Sequence, residues 1–196
     1  MVAQEDLTRR RLSVDEWRDL LHTTDVKYEY HDGWVVAMAG GSLDHSAIAI
    51  NVIEDIRREL GDGPCRVYNS DAPVRLSPAE YRLPDATVTC DEGDRGRVTE
   101  IQSPRVIVEV LSQSTEKEDR TTKFALYRSC PSVQEYMLIA TDYQTIEVYR
   151  RSGEVWVYRS YGPGDPVELE SIDVHLSVDH LYRLTEVPLP DAPRQS

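Results

Sequence analysis

From Val106 to Leu111 the chain reads Val-Ile-Val-Glu-Val-Leu, apolar at every position but one. A run of that kind fits a strand covered on both faces, in the middle of a sheet. Other stretches carry other periods. Ser13-Val14-Asp15-Glu16 has the form of a capping box, and Trp17, Leu20 and Leu21 follow at helical spacing, so a short amphipathic packing helix is expected. Lys27 to Tyr30 and Trp34 to Met38 flank His31-Asp32-Gly33, which is a hairpin signal. Between Ser42 and Leu60, Ile48, Val52, Ile56 and Leu60 recur along one helical face, with Gly61 as the stop.

Strands are expected over Arg66 to Tyr68, Ala72 to Leu76 and Asp85 to Cys90, and an acidic loop over Asp91 to Gln102. Ser114 or Thr115 can cap a helix that runs to about Ser129, before Pro131 ends it. Glu135 to Ala140, Thr145 to Arg150 and Glu154 to Ser160 read as a meander, turned at Asp142-Tyr143-Gln144 and Ser152-Gly153. Gly162 to Pro166 reads as a loop. Ser177 to Leu184 reads as a short helix with Val178, Leu181 and Tyr182 facing inward. The order predicts an α/β domain, a central sheet with helices on its faces. It is expected over residues 13–186, after a loose arm (1–12) and before a Pro-rich, disordered tail (187–196).

Length adds little beyond this: 196 residues suit one domain. No apolar run approaches the roughly 20 residues of a membrane span, and no apolar core follows Arg9-Arg10-Arg11 as a secretory leader requires. Cys65, Cys90 and Cys130 fit neither a zinc site nor a disulfide framework, so a reducing cytoplasm is expected. The net charge of −13 changes the picture more. It argues against tight non-specific nucleic-acid binding, which rests on phosphate neutralisation. A metal site is itself acidic when empty, so the charge does not exclude metal chemistry.

Two acids interrupt apolar runs, Asp85 at a strand start after Pro84 and Glu109 within Val106 to Leu111. A charge in a buried strand is costly unless it is paired or holds a metal. Period two puts Glu109 on the face of Ile107 and Leu111. It either enters a cleft or pairs internally with an arginine such as Arg82 or Arg120, and the pattern allows both equally. Lys123 shares a helical face with Asp119 and Tyr127. An ordinary exposed ion pair would explain it, but its helix begins just after the Glu109 strand and can lean back over that strand's end. Two carboxylates and a lysine suffice for metal-assisted phosphodiester cleavage. On pattern alone Glu29 is a solvated hairpin residue and His45 a cap or surface residue. Ser112 and Ser114 have no base beside them that would make a nucleophile. No Walker-type or dinucleotide glycine motif occurs.

Taken together, Tyr28-Glu29-Tyr30-His31-Asp32-Gly33, Asp44-His45, Leu83-Pro84-Asp85, Val108 to Thr115, Asp119-Arg120-Thr121-Thr122-Lys123 with Tyr127, and Glu135-Tyr136 resemble one family. It is the Uma family of bacterial restriction-endonuclease-like proteins, within the PD-(D/E)XK nuclease superfamily. The pieces fall in order over roughly residues 13–185, and the combination is more specific than any piece. The resemblance implies a restriction-endonuclease-like mixed central β-sheet flanked by helices, and a Mg²⁺ or Mn²⁺ site. Asp85 and Glu109 would be the superfamily's two acids, aided by the Val110 backbone carbonyl. The superfamily's usual lysine place, two residues after the acid, holds Leu111 here, so the resemblance points to Lys123 on the next helix. Glu29 would match an acid at the site's edge, able to bind a second metal, with His45 and Asp119 close by. The family's usual proline is replaced by Gln113.

The expectation is therefore a Mg²⁺-dependent endonuclease acting on DNA, with no membrane association. The rival expectation is a non-catalytic binding or regulatory protein on a nuclease scaffold. A basic rim around the Asp85–Glu109 cleft would favour the first and an acidic rim the second. A homodimer built through the Tyr-rich meander from Glu135 to Tyr161 is compatible with either.

Overall fold

The protein is described here by a computed structural model covering residues 10–38, 40–96 and 98–190. Its centre is the apolar run singled out above, now strand β7 (Pro104–Val110). It lies within a six-stranded sheet whose other members are β3 (Arg66–Asn69), β6 (Ala86–Thr89), β8 (Glu135–Ile139), β9 (Ile146–Ser152) and β10 (Val155–Tyr161). The order is β10-β9-β8-β7-β6-β3. Only β7 and β8 pair in parallel; the remaining pairs are antiparallel. A parallel pair needs a crossover. Here it is a helix, α3, in three consecutive pieces: Glu116–Glu118, a π-helical turn Asp119–Lys123, and Phe124–Ser129.

Alternation along β7 divides the core. Val106, Val108 and Val110 join Val88, Met137 and Ile139 under α2 (Leu43–Leu60), which contributes Ile48, Val52 and Ile56. The hairpin β11 (Pro166–Leu169) and β12 (Val174–Ser177) and the short α4 (Val178–Leu181) complete that layer. Ile107 and Leu111 face the other way, onto Tyr127, Tyr136 and Leu138 beneath α3. Glu109 belongs to this second face, as period two requires.

A second sheet, β2-β1-β5-β4, stands beside the first, from β1 (Tyr28–His31), β2 (Trp34–Ala37), β4 (Val74–Ser77) and β5 (Glu80–Arg82). Helix α1 (Val14–Thr23) closes it, starting from the expected capping box: Glu16 N donates to Ser13 Oγ at 3.2 Å and Ser13 N to Glu16 Oε2 at 2.7 Å. Trp17 packs 4.8 Å from Tyr81, ring to ring, and donates to Tyr28 O at 2.7 Å. The β1–β2 turn places Asp32 at φ 44° and Gly33 at φ 87°, the two positive φ angles of a tight hairpin. A Cβ on Gly33 would also lie 2.9 Å from Arg11 Cβ.

Several boundaries differ from expectation. Strand β6 begins at Ala86, so Asp85 stands just before it. Thr115 takes the N-cap position of α3 but makes no side-chain cap bond; Ser112 Oγ instead accepts from Thr115 N at 3.3 Å. β5 and the β11–β12 hairpin were not anticipated. Leu12 is buried and its N–H donates to Gly33 O at 2.8 Å, while Val187 is buried and Pro188 O accepts from Gln144 N at 2.9 Å. The chain is therefore packed at both margins of residues 13–186; residues 1–9 and 191–196 lie outside the described residues.

The cysteine expectation is overturned. Cys65 and Cys90 form a disulfide, one pair beyond Arg66↔Thr89 at the end of the β3–β6 ladder. Strand register made them neighbours, and their spacing in sequence carries no trace of it. Cys130 is free and buried. The argument from unpaired cysteines to a reducing compartment falls with the bond. Among the described residues no helix is long and apolar enough to cross a membrane.

Candidate active site

Of the residues proposed from sequence, Glu29, His45, Asp85, Glu109, Val110 and Lys123 line one cavity of about 570 Å³ where the two sheets meet, and Asp119 reaches it only through Lys123. Asp85, at the entry to β6, accepts a hydrogen bond from Val110 N through Oδ2 at 2.7 Å. That bond ties the end of β7 to the acid and sets Asp85 beside Glu109. His45 Nε2 is 3.5 Å from the same oxygen. The first turn of α2 holds this ring near the backbone of Gly41, where a Cβ would meet His45 Cγ at 2.6 Å. Only glycine leaves room for it. The Asp85 carboxylate is the main reason the His45 imidazolium is favoured above its ordinary range, against the cost of burial.

Glu109 is buried, and its partners are not arginines. Its Oε1 accepts from Tyr127 OH at 2.8 Å and from Lys123 Nζ at 3.1 Å. Lys123 Nζ lies 3.0 Å from Asp119 Oδ1 and 3.8 Å from Glu29 Oε1. The lysine is itself buried, which removes the reading of an exposed surface pair. Asp119, Lys123 and Tyr127 thus share one face, as the sequence suggested, but across a π-helical turn rather than a plain α-helix. Such single turns insert an extra residue and re-aim side chains, and they recur at functional sites.

Glu29 is buried as well, and the expectation of a solvated hairpin residue does not hold. Its Oε2 accepts from Arg82 Nη1 at 2.7 Å and its Oε1 from Leu83 N at 3.2 Å. Arg82 continues to Glu80 at 2.6 Å, and Glu80 bonds His31 at the surface. This arginine was considered only as a partner for Glu109. It sits on the unanticipated three-residue strand β5, and no local pattern marks it. Arg120, the other arginine considered for Glu109, pairs instead with Glu116 at 2.8 Å and Glu147 at 2.5 Å. Asp94, in the acidic loop, is structural: it accepts from Thr89 Oγ1, Gln102 N and Ser103 N.

Carboxylates dominate the cluster. Burial pushes Glu109 up to about 8; the Lys123 ammonium pulls it down, and Asp85, Asp119 and Glu29 add to the rise. Burial works against the charge on Lys123, but Glu109, Glu29 and Asp119 outweigh it and hold the ammonium well above its usual range. Tyr127 is raised first by burial and then by Glu109, so it stays a hydrogen-bond donor.

The donor set suits a hard divalent cation. Among the described residues, Asp85 Oδ1 and Glu109 Oε2 receive no protein hydrogen bond, and both residues line the cavity. Asp119 Oδ1 is buried with no hydrogen bond of good geometry. Among the described residues no three His, Cys, Asp or Glu side chains form a ready cage. Two carboxylates with the remaining positions left to water and substrate oxygens is the usual arrangement for Mg²⁺.

A mixed sheet thus carries two acids at the junction of adjacent strands, with a lysine brought over them by the crossover helix. Residues 14–181 match the Uma2 family, described as "Putative restriction endonuclease", and the chain belongs to that family. Two relatives come from Synechocystis sp. (strain ATCC 27184 / PCC 6803 / Kazusa). Uncharacterized protein slr1290 is 37% identical over 175 residues, 88% of this chain and 92% of its own length. Uncharacterized protein sll1609 is 29% identical over 151 residues, 75% and 85% respectively. The fold matches a crystal structure from Anabaena variabilis titled a "putative nuclease belonging to DUF820", with a TM-score of 0.69 over 87% of this chain and 97% of that one, at 22% identity.

Proposed function

We propose that the protein is a Mg²⁺- or Mn²⁺-dependent endonuclease that hydrolyses phosphodiester bonds in DNA. The observation that carries this reading is the convergence of Asp85, Glu109 and Lys123 on one cavity, with a carboxylate oxygen of each acid left without a donor among the described residues. Asp85 and Glu109, aided by the Val110 carbonyl, would hold the metal. When bound, the ion supplies charge neutralisation at the phosphate and an acidified water. Lys123 would orient the attacking water, or offset charge on the phosphate as it builds. Tyr127 and Val110 N fix the two carboxylates, and Arg82 holds Glu29 in place. Asp119 shares the lysine, and His45 shares Asp85.

The test is incubation of the purified protein with plasmid, single-stranded DNA and RNA, with Mg²⁺ or Mn²⁺, beside Glu109→Ala. Wild-type cleavage that the variant lacks supports the reading and names the polymer. Full activity in Glu109→Ala overturns the assignment.

One observation favours the second reading, a non-catalytic binding or regulatory protein on this scaffold. Around the mouth, Lys27 stands against Asp25 and Glu118, and Lys27 is already paired with Asp71 at 2.8 Å. An acidic rim repels phosphate until a cation intervenes. Metal-induced stabilisation without cleavage of any of the three polymers would select this reading.

A further inference from the structure

Glu29 lines the same cavity as Asp85 and Glu109, yet its carboxylate is already committed. On the small sheet His31 pairs with Glu80 and Tyr30 with Tyr81, so the next step along sets Glu29 opposite Arg82. Glu29 Oε2 accepts from Arg82 Nη1 at 2.7 Å, and Oε1 accepts from Leu83 N at 3.2 Å. Arg82 is buried and engaged on all sides. Its Nη2 lies 2.6 Å from Glu80 Oε1, and its Nη1 lies 3.7 Å from Glu118 Oε1. Pulling Glu29 away from this arginine would leave buried charges uncompensated.

The two oxygens of Glu109 serve different neighbours. Oε2, like Asp85 Oδ1, receives no hydrogen bond among the described residues, and these two oxygens are free for an ion. Oε1 is taken by Tyr127 and Lys123. The Lys123 ammonium stands 3.1 Å from Glu109 Oε1, 3.0 Å from Asp119 Oδ1 and 3.8 Å from Glu29 Oε1. Three carboxylates therefore surround one cation, and that cation is a side chain.

Phosphodiester hydrolysis by two metals places the ions about 3.5–4 Å apart. Here an ion set between Glu29, Glu109 and Asp119 would fall on the ammonium. Lys123 is buried on the π-helical turn of α3 and cannot swing into solvent without giving up all three acids. A divalent ion beside it, in a site shielded from water, is strongly repelled.

We infer that Glu29 is a positioning residue and not a metal ligand: fixed by Arg82, it braces Lys123 in the place of a second ion, so the site takes one divalent cation per chain, on Asp85 and Glu109. The inference rests on the metal-dependent reading and deepens it. The second positive charge at the phosphate is then built into the chain and does not vary with metal concentration.

Equilibrium dialysis of the full chain against Mn²⁺ counts ions without requiring cleavage. Wild type should take up one ion per chain. Glu29→Gln should keep that ion, at most roughly tenfold weaker, whereas Asp85→Asn should bind it at least roughly 100-fold more weakly. Lys123→Gln vacates the place between the three acids and should admit a second ion. Adding Glu29→Gln to Lys123→Gln should remove that second ion, an effect that a merely structural glutamate would not have. Two ions on the wild type, one ion on Lys123→Gln, or a loss in Glu29→Gln as large as in Asp85→Asn overturns the inference and leaves the metal-dependent reading standing. No ion on the wild type overturns both. Should a variant fail to fold, the wild-type count decides.

Discussion

Burial pushes Glu109 up to about 8 even with the Lys123 ammonium 3.1 Å away. In the unfolded chain the same group titrates near 4.5. A raised carboxylate contributes its full stability below the unfolded value, and that contribution drains away as pH rises through the folded one. The metal-free protein should therefore lose on the order of 2–5 kcal/mol between about pH 5 and about pH 9. Glu109→Gln should flatten that slope, as urea unfolding in chelator would record. A cation binds the carboxylate, not the acid, so below about 8 its uptake should expel a proton from Glu109. Calorimetry in two buffers of different ionisation enthalpy measures this proton, and equal heats in both would refute the assignment. Tyr127→Phe removes one donor from Glu109 Oε1 and should cost about 1–2 kcal/mol at pH values where the carboxylate is charged. Glu109 was conspicuous in sequence because it breaks an apolar run. Arg82 and Glu80 were not, because nothing local distinguishes a buried arginine from an exposed one.

At the level of elements, α3 positions Lys123 and Tyr127 through its π-helical turn, in which Thr121 and Thr122 are exposed. Deleting Thr122 should restore α-helical geometry there and turn Lys123 away from Asp119 or Glu109. The expected result is loss of metal-induced stabilisation with helix content by circular dichroism retained. Unchanged metal stabilisation would show that the turn does not aim the lysine. The helix itself was legible from its ends, but the π turn was not. Its extra residue depends on which side chains must reach the site, not on local propensity. The β11–β12 hairpin was missed for another reason. Val167, Leu169, Val174 and Leu176 do alternate and are buried, but the connection places Asp173 at φ 53° without a glycine to announce it.

For the molecule as a whole, the Cys65–Cys90 bond closes 25 residues spanning β3, β4, β5 and β6. Closing a loop of that length is worth about 3.5 kcal/mol in the chain-entropy account, so reduction should lower the urea midpoint correspondingly. Cys65→Ala with Cys90→Ala should match the reduced wild type and no longer respond to reductant. What the sequence determined by itself was local or periodic: the capped helices, the tight hairpin, the doubly buried strand with its one acid, and the ordered motifs that mark the family. These depend on residues within a few positions of each other. Tertiary structure alone decided which acids share a cavity, that Lys123 and Tyr127 rather than an arginine meet Glu109, that Arg82 holds Glu29, and that two cysteines pair. Those outcomes follow from strand register and from a helix crossing over a sheet. Both are set by burying the whole apolar surface at once, and no short stretch of sequence encodes them.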